Sequence, residues 1–149
     1  MKTIRSFIAI NIPAKIRNRL KKIQDELKKS NVALRLVRPE NIHITLKFLG
    51  NVPVESINDI QDAINESISG FRIFLVSFEK IGVFPNPEYP RVIWVGIERG
   101  AEELFLLNTI EELKNIRVGE MLAEEICLMG SILKPQGAQY NTLKTFLLE

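Results

Sequence analysis

The residues of this chain whose types and spacing could do chemistry are His43 and Thr45, two positions apart. His43 is the sole histidine of the sequence. An imidazole exchanges a proton near neutral pH, and a threonine hydroxyl donates a hydrogen bond to a non-bridging phosphate oxygen. On a strand, side chains at i and i+2 point the same way about 6.5 to 7 Å apart, so both could contact one phosphate. The pair therefore suits proton transfer at a phosphate ester.

The residues around this pair predict the strand that would hold it. Apolar and polar residues alternate over 42–49, and Gly50 follows. The alternation predicts a strand over 42–49 with an apolar face of Ile42, Ile44, Leu46 and Phe48 and a polar face of His43, Thr45 and Lys47. Lys47 would either add positive charge or be solvated. A single histidine is more often structural or solvent-facing than catalytic, so the spacing alone leaves both interpretations open.

The first half of the chain predicts the order β-α-β-β-α. Pro13 suits the first turn of a helix, and Ile16, Leu20, Ile23 and Leu27 recur at helical spacing. A second helix, starting at 51–53, would bury Ile57, Ile60, Ile64 and Ile68. Strands are expected at 7–12, 32–37 and 42–49, with a turn at 39–41 and a stop at Gly50.

The second half predicts strands at 71–81 and 91–98, a third helix marked by Leu104, Leu107, Ile110 and Leu113, and final strands at 123–129 and 143–148. If this half echoed the first, a strand, a turn and another strand would follow the third helix. The chain instead passes almost directly from residue 114 into the final strands. Such a segment would hold roughly 20 to 30 residues. We therefore predict a single α+β domain over 1–149 with two sheets.

Composition sets the broad class. The chain has 149 residues, of which 46% are hydrophobic, so it can bury the core of one domain. Residues 1–12 are too short an apolar stretch for a signal peptide, and no apolar run is long enough to span a bilayer. The single cysteine, Cys127, lies in an apolar stretch and is expected to be a buried structural thiol. We expect a cytoplasmic protein with no membrane association.

Charge is distributed unevenly along the chain, although the net charge is only +2. Residues 1–50 contain 12 Lys and Arg against 3 Asp and Glu, whereas residues 51–149 contain 8 against 15. Much of the basic excess lies on the first helix, with Arg35 and Arg38 after it. Composition alone favours a solvated lysine-rich face over a surface that follows an RNA backbone, and both remain open.

Four stretches in order resemble one known family. IHITLKFLG at 42–50 is similar to the first His-x-Thr-x motif of the two-histidine phosphoesterases, which include the RNA 2′,3′-cyclic phosphodiesterases, also called 2′-5′ RNA ligases. The other stretches are RSFIAI at 5–10, PRVIWVG at 90–96 and SILKPQG at 131–137 with Tyr140. The triplet alone is weak evidence, but four ordered matches cover nearly the whole chain. The chain is identified by this resemblance as a member of that family.

The resemblance implies both a fold and an activity. The fold is α+β and bilobal, with two antiparallel sheets, helices on the outside, a central cleft and pseudo-twofold symmetry. The activity opens an RNA 2′,3′-cyclic phosphate end to a 2′-phosphate, with no metal or cofactor, and 2′-5′ ligation of tRNA halves is its reverse. His43 would protonate the leaving 3′ oxygen and Thr45 would hold the phosphate. The expected partner is RNA or a nucleotide, with no obligatory protein partner, for a monomeric protein.

This sequence departs from the family at the second motif. The family's second histidine, which activates the attacking water, has no counterpart because the chain has no other histidine. The family-like stretches on both sides are intact, so we favour a missing segment between about 116 and 119, either deleted from the protein or left out of this sequence, over divergence. A rival interpretation is a non-catalytic RNA-binding or nucleotide-binding member of the family, and a third is a structural domain with an idle cleft.

The remaining candidates are weaker. Arg91 and Trp94 lie three apart on one predicted strand and face opposite ways, and we choose Arg91 as a substrate contact. A salt bridge or free solvation of Arg91 is equally open. Trp94 and Tyr140 are expected to pack rather than stack on a base. One histidine and one cysteine cannot form a usual zinc site, and no phosphate-binding loop or dinucleotide motif is present.

Overall fold

The residues that the structure describes form two antiparallel sheets and two α-helices. The computed structural model describes residues 1–30, 33–86, 88, 91–98 and 117–149. Within these ranges the strands are β1 (Thr3–Asn11), β2 (His43–Pro53), β3 (Phe74–Phe84), β4 (Val92–Ile97), β5 (Arg117–Ala123), β6 (Glu125–Lys134) and β7 (Gly137–Leu147), and the helices are α1 (Ala14–Lys28) and α2 (Ile57–Ile68). The first sheet has the order β2-β1-β6-β7 and the second the order β4-β3-β5. The predicted α+β class with two antiparallel sheets is confirmed.

The two faces of the first sheet bury different sets of side chains. Alternation along β1 sends Ile10 into the main core and Ala9 to the opposite face. The main core also takes side chains from α1, α2 and the second sheet. The opposite face carries a smaller cluster of Phe7, Ala9, Cys127 and Met129. The buried position of Cys127 confirms that it is a structural thiol.

The first two predicted helices form, and each buries the expected stripe. Ile16 and Leu20 of α1 are buried, as is Ile64 of α2, while Ile57 and Ile60 pack partly buried against the same core. Pro13 is the residue that caps the start of α1, where its missing N–H costs nothing. The helices therefore cover the core face of the first sheet and leave its other face open.

The predicted strand at 32–37 was wrong for residues 33–37, which form no regular structure. The edge of the first sheet is β2 itself, so this segment has no neighbouring strand with which to pair. It contacts α1 instead, since Gln24 Nε2 donates a hydrogen bond of 2.8 Å to the carbonyl oxygen of Val37. The turn at 39–41 is confirmed as a short 3₁₀ helix, Pro39–Asn41.

Other boundaries also differ from the predictions. Gly50 does not end β2, and the second helix does not begin at 51–53, because the strand continues to Pro53. β5 was not predicted as a separate strand, because Glu124 alone divides it from β6. The two final strands are longer than predicted, and a two-residue hairpin turn joins them, since Lys134 pairs with Gly137. The third predicted helix, at 104–113, lies outside the described residues.

Two bulges determine which side chains of β2 face each side of the sheet. Ile8 pairs with Lys47 and Ala9 with Thr45, so Leu46 is an extra residue. Phe7 pairs with Phe48 and Ser6 with Gly50, so Leu49 is another. Gly50 has φ of 75°, the left-handed conformation found in such bulges. The predicted simple alternation over 42–49 is therefore wrong beyond Thr45.

Within the described ranges, neither helix combines the length and the apolar composition needed to cross a lipid bilayer.

Replacing Gly50 by alanine should lower the free energy of unfolding by about 1 to 2 kcal/mol, because a Cβ disfavours the left-handed conformation. No atom lies within 4 Å of the added Cβ, so the effect would come from the backbone alone. Gly50→Asn is the matched control and should lose less, since asparagine tolerates this conformation. Guanidinium unfolding of the three proteins measures the difference. Equal stability of Gly50→Ala and the wild type would contradict this account of the bulge.

Candidate active site

The open face of the first sheet carries a cleft of about 700 Å³ that contains His43. Its walls come from the end of β1, the start of α1, the 3₁₀ helix and the β6-β7 hairpin. The lining residues are Asn11, Arg17, Arg38, Glu40, Asn41, His43, Met129, Lys134, Gln136, Gly137, Ala138, Gln139, Tyr140 and Thr142. This volume is in the range of pockets that hold small organic ligands.

A backbone hydrogen bond fixes the orientation and the tautomer of His43. Its Nδ1 lies 2.7 Å from the carbonyl oxygen of Asn41. Because a carbonyl can only accept, Nδ1 must carry the hydrogen. Nε2 is then the nitrogen that gains or loses a proton at the cleft. Asn41 is itself anchored, since its Nδ2 donates to the carbonyl oxygen of Ala138 over 2.9 Å.

Two aromatic rings hold the imidazole between them. The ring of Phe7 stacks on His43 with 4.9 Å between centroids and an interplanar angle of 29°. The ring of Tyr140 meets His43 edge-on at 5.3 Å and also contacts Phe7 at 5.1 Å. Phe7 is buried and Tyr140 is half-buried. The imidazole is therefore positioned by packing as well as by hydrogen bonding.

Burial lowers the pKa of His43 below the usual histidine value, and the hydrogen bond to the Asn41 carbonyl partly offsets this. The cause is that the apolar rings around the imidazole disfavour its charged form. Near neutral pH the free protein therefore holds His43 mainly as the neutral tautomer.

Thr45 and His43 lie on the same face of the sheet, as predicted. His43 pairs with Asn11 and Thr45 with Ala9, and these partners are two apart on β1. Thr45 is half-buried. Lys47 was expected on this face but pairs with Ile8, whose side chain packs on the main core. The bulge at Leu46 reverses the alternation, so the prediction for Lys47 was wrong.

The same bulge brings Phe48 to the face of His43. Phe48 was predicted on the apolar, buried face, yet it is 73% exposed and its ring lies 6.1 Å from that of Phe7. Leu46, also expected to be buried, is 39% exposed. The open face of the sheet therefore has an aromatic cluster of Phe7, Phe48 and Tyr140 beside His43.

The structure does not bring Arg91 into this cleft. Arg91 immediately precedes β4 of the second sheet, where its side chain is exposed and its N–H donates to the carbonyl oxygen of Phe84 over 2.8 Å. Trp94, on the same strand, is half-buried. The role of Arg91 as a substrate contact remains a prediction.

Several polar residues of the cleft were missed by sequence reasoning. Asn11 lies opposite His43 and donates from Nδ2 to the sulfur of Cys127 over 3.6 Å. Asn41 precedes the stretch at 42–50 and Lys134 lies within the stretch at 131–137, both of which the sequence analysis quoted. The two residues meet only because strands 90 or more residues apart in sequence pair with each other. The proximity of Arg38 to the histidine motif was the one local signal.

The cleft contains more cations than anions. Arg17, Arg38 and Lys134 face a single carboxylate, Glu40. Arg17 Nη2 donates to the carbonyl oxygen of Ile12 over 3.0 Å, and its Nε is buried without a hydrogen-bond partner among the described residues. Within the same part of the chain, no group of three or more His, Cys, Asp or Glu side chains could hold a metal ion.

The site combines an oriented histidine with a cleft on an antiparallel sheet. A comparison with known families identifies the class of protein to which it belongs. The sequence profile described as LigT like Phosphoesterase matches residues 10–94, which is more than half of the chain and includes His43 and Thr45. The chain belongs to the LigT-like phosphoesterase family, which confirms the resemblance found in the sequence.

Individual relatives extend this result over nearly the whole chain. The RNA 2′,3′-cyclic phosphodiesterase of Methanothermobacter thermautotrophicus is 30% identical over 182 aligned positions, covering 97% of this chain and 99% of that protein. The protein of the same name from Archaeoglobus fulgidus is 41% identical over 115 positions, covering 76% of this chain and 63% of that protein.

Two solved structures share the fold. Thermus thermophilus TT0787 superposes with a TM-score of 0.81 at 24% identity, covering 97% of this chain and 98% of that one. Escherichia coli LigT, solved in complex with 3′-AMP, gives 0.68 at 23% identity and covers 99% of both chains.

Replacing Tyr140 by alanine should raise the pKa of His43 towards the usual value of about 6.5, because water would then reach the imidazole. The sole histidine gives one set of ring proton resonances, so an NMR titration measures its pKa directly. Phe48→Ala is the control, since Phe48 touches Phe7 rather than His43. A pKa that does not change in Tyr140→Ala would show that this ring does not shield the imidazole.

Proposed function

We propose that this protein is an RNA 2′,3′-cyclic phosphodiesterase, which hydrolyses a cyclic phosphate end to a 2′-phosphate. The observation that carries the proposal is His43, whose Nδ1 is held by the Asn41 carbonyl so that Nε2 serves the cleft. The names of the relatives that align with almost the whole chain support the same activity. The expected protein is a monomer that needs no partner subunit.

In the proposed reaction, His43 acts as the imidazolium acid. Water attacks phosphorus and loses a proton to solvent, the bond from phosphorus to the 3′ oxygen breaks, and Nε2 gives its proton to that oxygen. The phosphate stays on the 2′ oxygen. Thr45 donates its hydroxyl hydrogen to a non-bridging oxygen from the adjacent position on the same face. Arg91 stays a proposed phosphate contact, because a guanidinium can bind two phosphate oxygens at once, although it lies beside the second sheet and does not line this cleft.

The proposed enzyme works with one histidine where the family has two. The alignment with the M. thermautotrophicus protein has 182 positions, and 97% of 149 residues is about 145, so about 37 positions have no counterpart here. This deficit supports the absence of a segment carrying the second motif, which we place at about 116–119, where β5 begins. Without that histidine, the attacking water receives no imidazole base.

His43→Gln should lower kcat/KM for cytidine 2′,3′-cyclic phosphate by about 10² to 10⁴, the usual contribution of a general acid. Thr45→Val and Arg91→Gln should lower it by less, because each removes only a phosphate contact. Arg72→Gln is the control, an exposed arginine just before β3. Phosphorus NMR identifies the product as the 2′-phosphate.

Unchanged turnover in His43→Gln would remove this histidine from the mechanism. Nucleotide binding without turnover in the wild type would favour the rival, a non-catalytic binding protein.

A lone acid also predicts the pH dependence. The imidazolium is the active form, so kcat/KM should be constant at low pH and fall about tenfold per pH unit above the pKa of free His43. Because burial lowers that pKa, the fall should begin below pH 6.5. Turnover should be about 10² to 10⁴ slower than in a two-histidine relative. A bell-shaped profile at full speed would mean that another residue acts as the base.

A further inference from the structure

The strongest unassigned feature is the cationic part of the cleft beside His43. Its three cations come from separate segments: Arg17 from the first turn of α1, Arg38 from just before the 3₁₀ helix, and Lys134 from the end of β6. The hydrogen bond from Asn41 to the Ala138 carbonyl joins the 3₁₀ helix to the β6-β7 hairpin. The fold therefore holds these side chains around one space.

Among the residues that the structure describes, these cations form no ion pair. The salt bridges of the described residues join Lys28 to Asp25, Lys29 to Glu26 and Lys80 to Glu98, all away from the cleft. The basic residues of the first 50 positions therefore fall into two groups. The end of α1 has lysines neutralised on its own surface, while Arg17 and Arg38 face the cleft.

The net charge of the cleft indicates how many negative charges of a ligand it can balance. Three cations and Glu40 leave an excess of +2 when His43 is neutral. A nucleoside 2′,3′-cyclic phosphate carries one negative charge, which leaves at least one positive charge unmatched. Each further nucleotide of an RNA chain adds one phosphodiester and one negative charge.

The fold fixes the position of Arg17 at the cleft. Its guanidinium is held in place by the Ile12 carbonyl, and its Nε is a buried donor with no partner among the described residues. Native structures rarely leave such a donor unpaired, and each unpaired donor needs a structural or functional explanation. A guanidinium fixed in this way is ready to bind phosphate oxygens without further loss of side-chain freedom.

We propose that Arg17, Arg38 and Lys134 form a second phosphate subsite, which binds the phosphodiester on the 5′ side of the terminal nucleotide. This inference rests on the proposed function, because it takes the cyclic phosphate to lie at His43. The preferred substrate is then an RNA chain, in which at least two phosphates are bound, rather than a cyclic mononucleotide.

The test measures binding, so that it does not depend on turnover. The probes are cytidine 2′-phosphate and the dinucleotide that carries the same 2′-phosphate on its 3′ nucleoside. The dinucleotide should bind about tenfold more tightly at low salt, as expected for one phosphate held by partly exposed cations. Its advantage should shrink as salt rises, with an added slope of about −0.7 in log K against log salt.

Matched variants assign the gain to the subsite. Arg38→Gln and Lys134→Gln should each lose several-fold more affinity for the dinucleotide than for the mononucleotide. Arg35→Gln and Lys144→Gln are the controls, because both residues are exposed and do not line the cleft. Arg35 lies in the same segment as Arg38, and Lys144 lies on β7, which pairs with the strand of Lys134. All four positions are exposed, so the variants should fold.

Two further ligands test alternative explanations of the gain. One distinguishes the charge of the phosphate from base stacking, and the other distinguishes a phosphodiester of the RNA chain from a terminal phosphate. A dinucleotide with an uncharged methylphosphonate linkage should lose the tenfold gain, whereas a gain that persists would assign it to the aromatic cluster and overturn the subsite. Cytidine 2′,5′-bisphosphate carries a terminal phosphate at the same position. A gain from this compound without one from the dinucleotide would overturn the assignment to an RNA phosphodiester.

The outcome is distinguishable from that of the proposed function. If cyclic phosphates are not hydrolysed but the dinucleotide preference depends on Arg38 and Lys134, the subsite stands and the proposed activity falls. If cyclic phosphates are hydrolysed and the two probes bind equally, the activity stands and the subsite is overturned.

Discussion

The pairing of β1 with β2 is the constraint on which the candidate site depends. It places His43 beside Asn11 and Thr45 beside Ala9, on the face of the first sheet that the helices leave open. A register slip of one residue would turn both polar side chains towards the main core. The two bulges and Gly50 absorb the extra residues of β2, so the strand can continue to Pro53 without disturbing the pair.

The sequence was sufficient for the class of fold and for the placement of His43 and Thr45 on one face of a strand, because both predictions depend on local periodicity. It failed at Lys47 and Phe48, since a bulge is set by the fit of two strands and leaves no clear mark on alternation. It also failed at residues 33–37, whose apolar residues are typical of a strand but have no strand to pair with. The cleft around His43 needed the β6-β7 hairpin, and long-range pairing of this kind cannot be read from spacing.

The second sheet has a structural role that does not depend on a second catalytic motif. Val76 and Phe78 of β3 and Met121 and Ala123 of β5 are buried in the same core as Ile10 of the first sheet. Removing this sheet would expose those side chains. Burial of each of the larger ones contributes roughly 1.5 to 3 kcal/mol to the free energy of unfolding. The sheet would therefore be retained for stability even in a chain that had lost its second histidine.

A buried lone histidine can act as an acid only if the substrate itself favours its charged form. The rings of Phe7 and Tyr140 shield the imidazole from water and so disfavour its charged form. A phosphate monoanion 4 Å away contributes about 4 kcal/mol at an effective dielectric constant near 20, which would raise a histidine pKa by about three. This attraction is larger than the usual effect of partial burial. Binding of the anionic substrate would then protonate His43, so that the acid is formed mainly in the complex where its proton is needed.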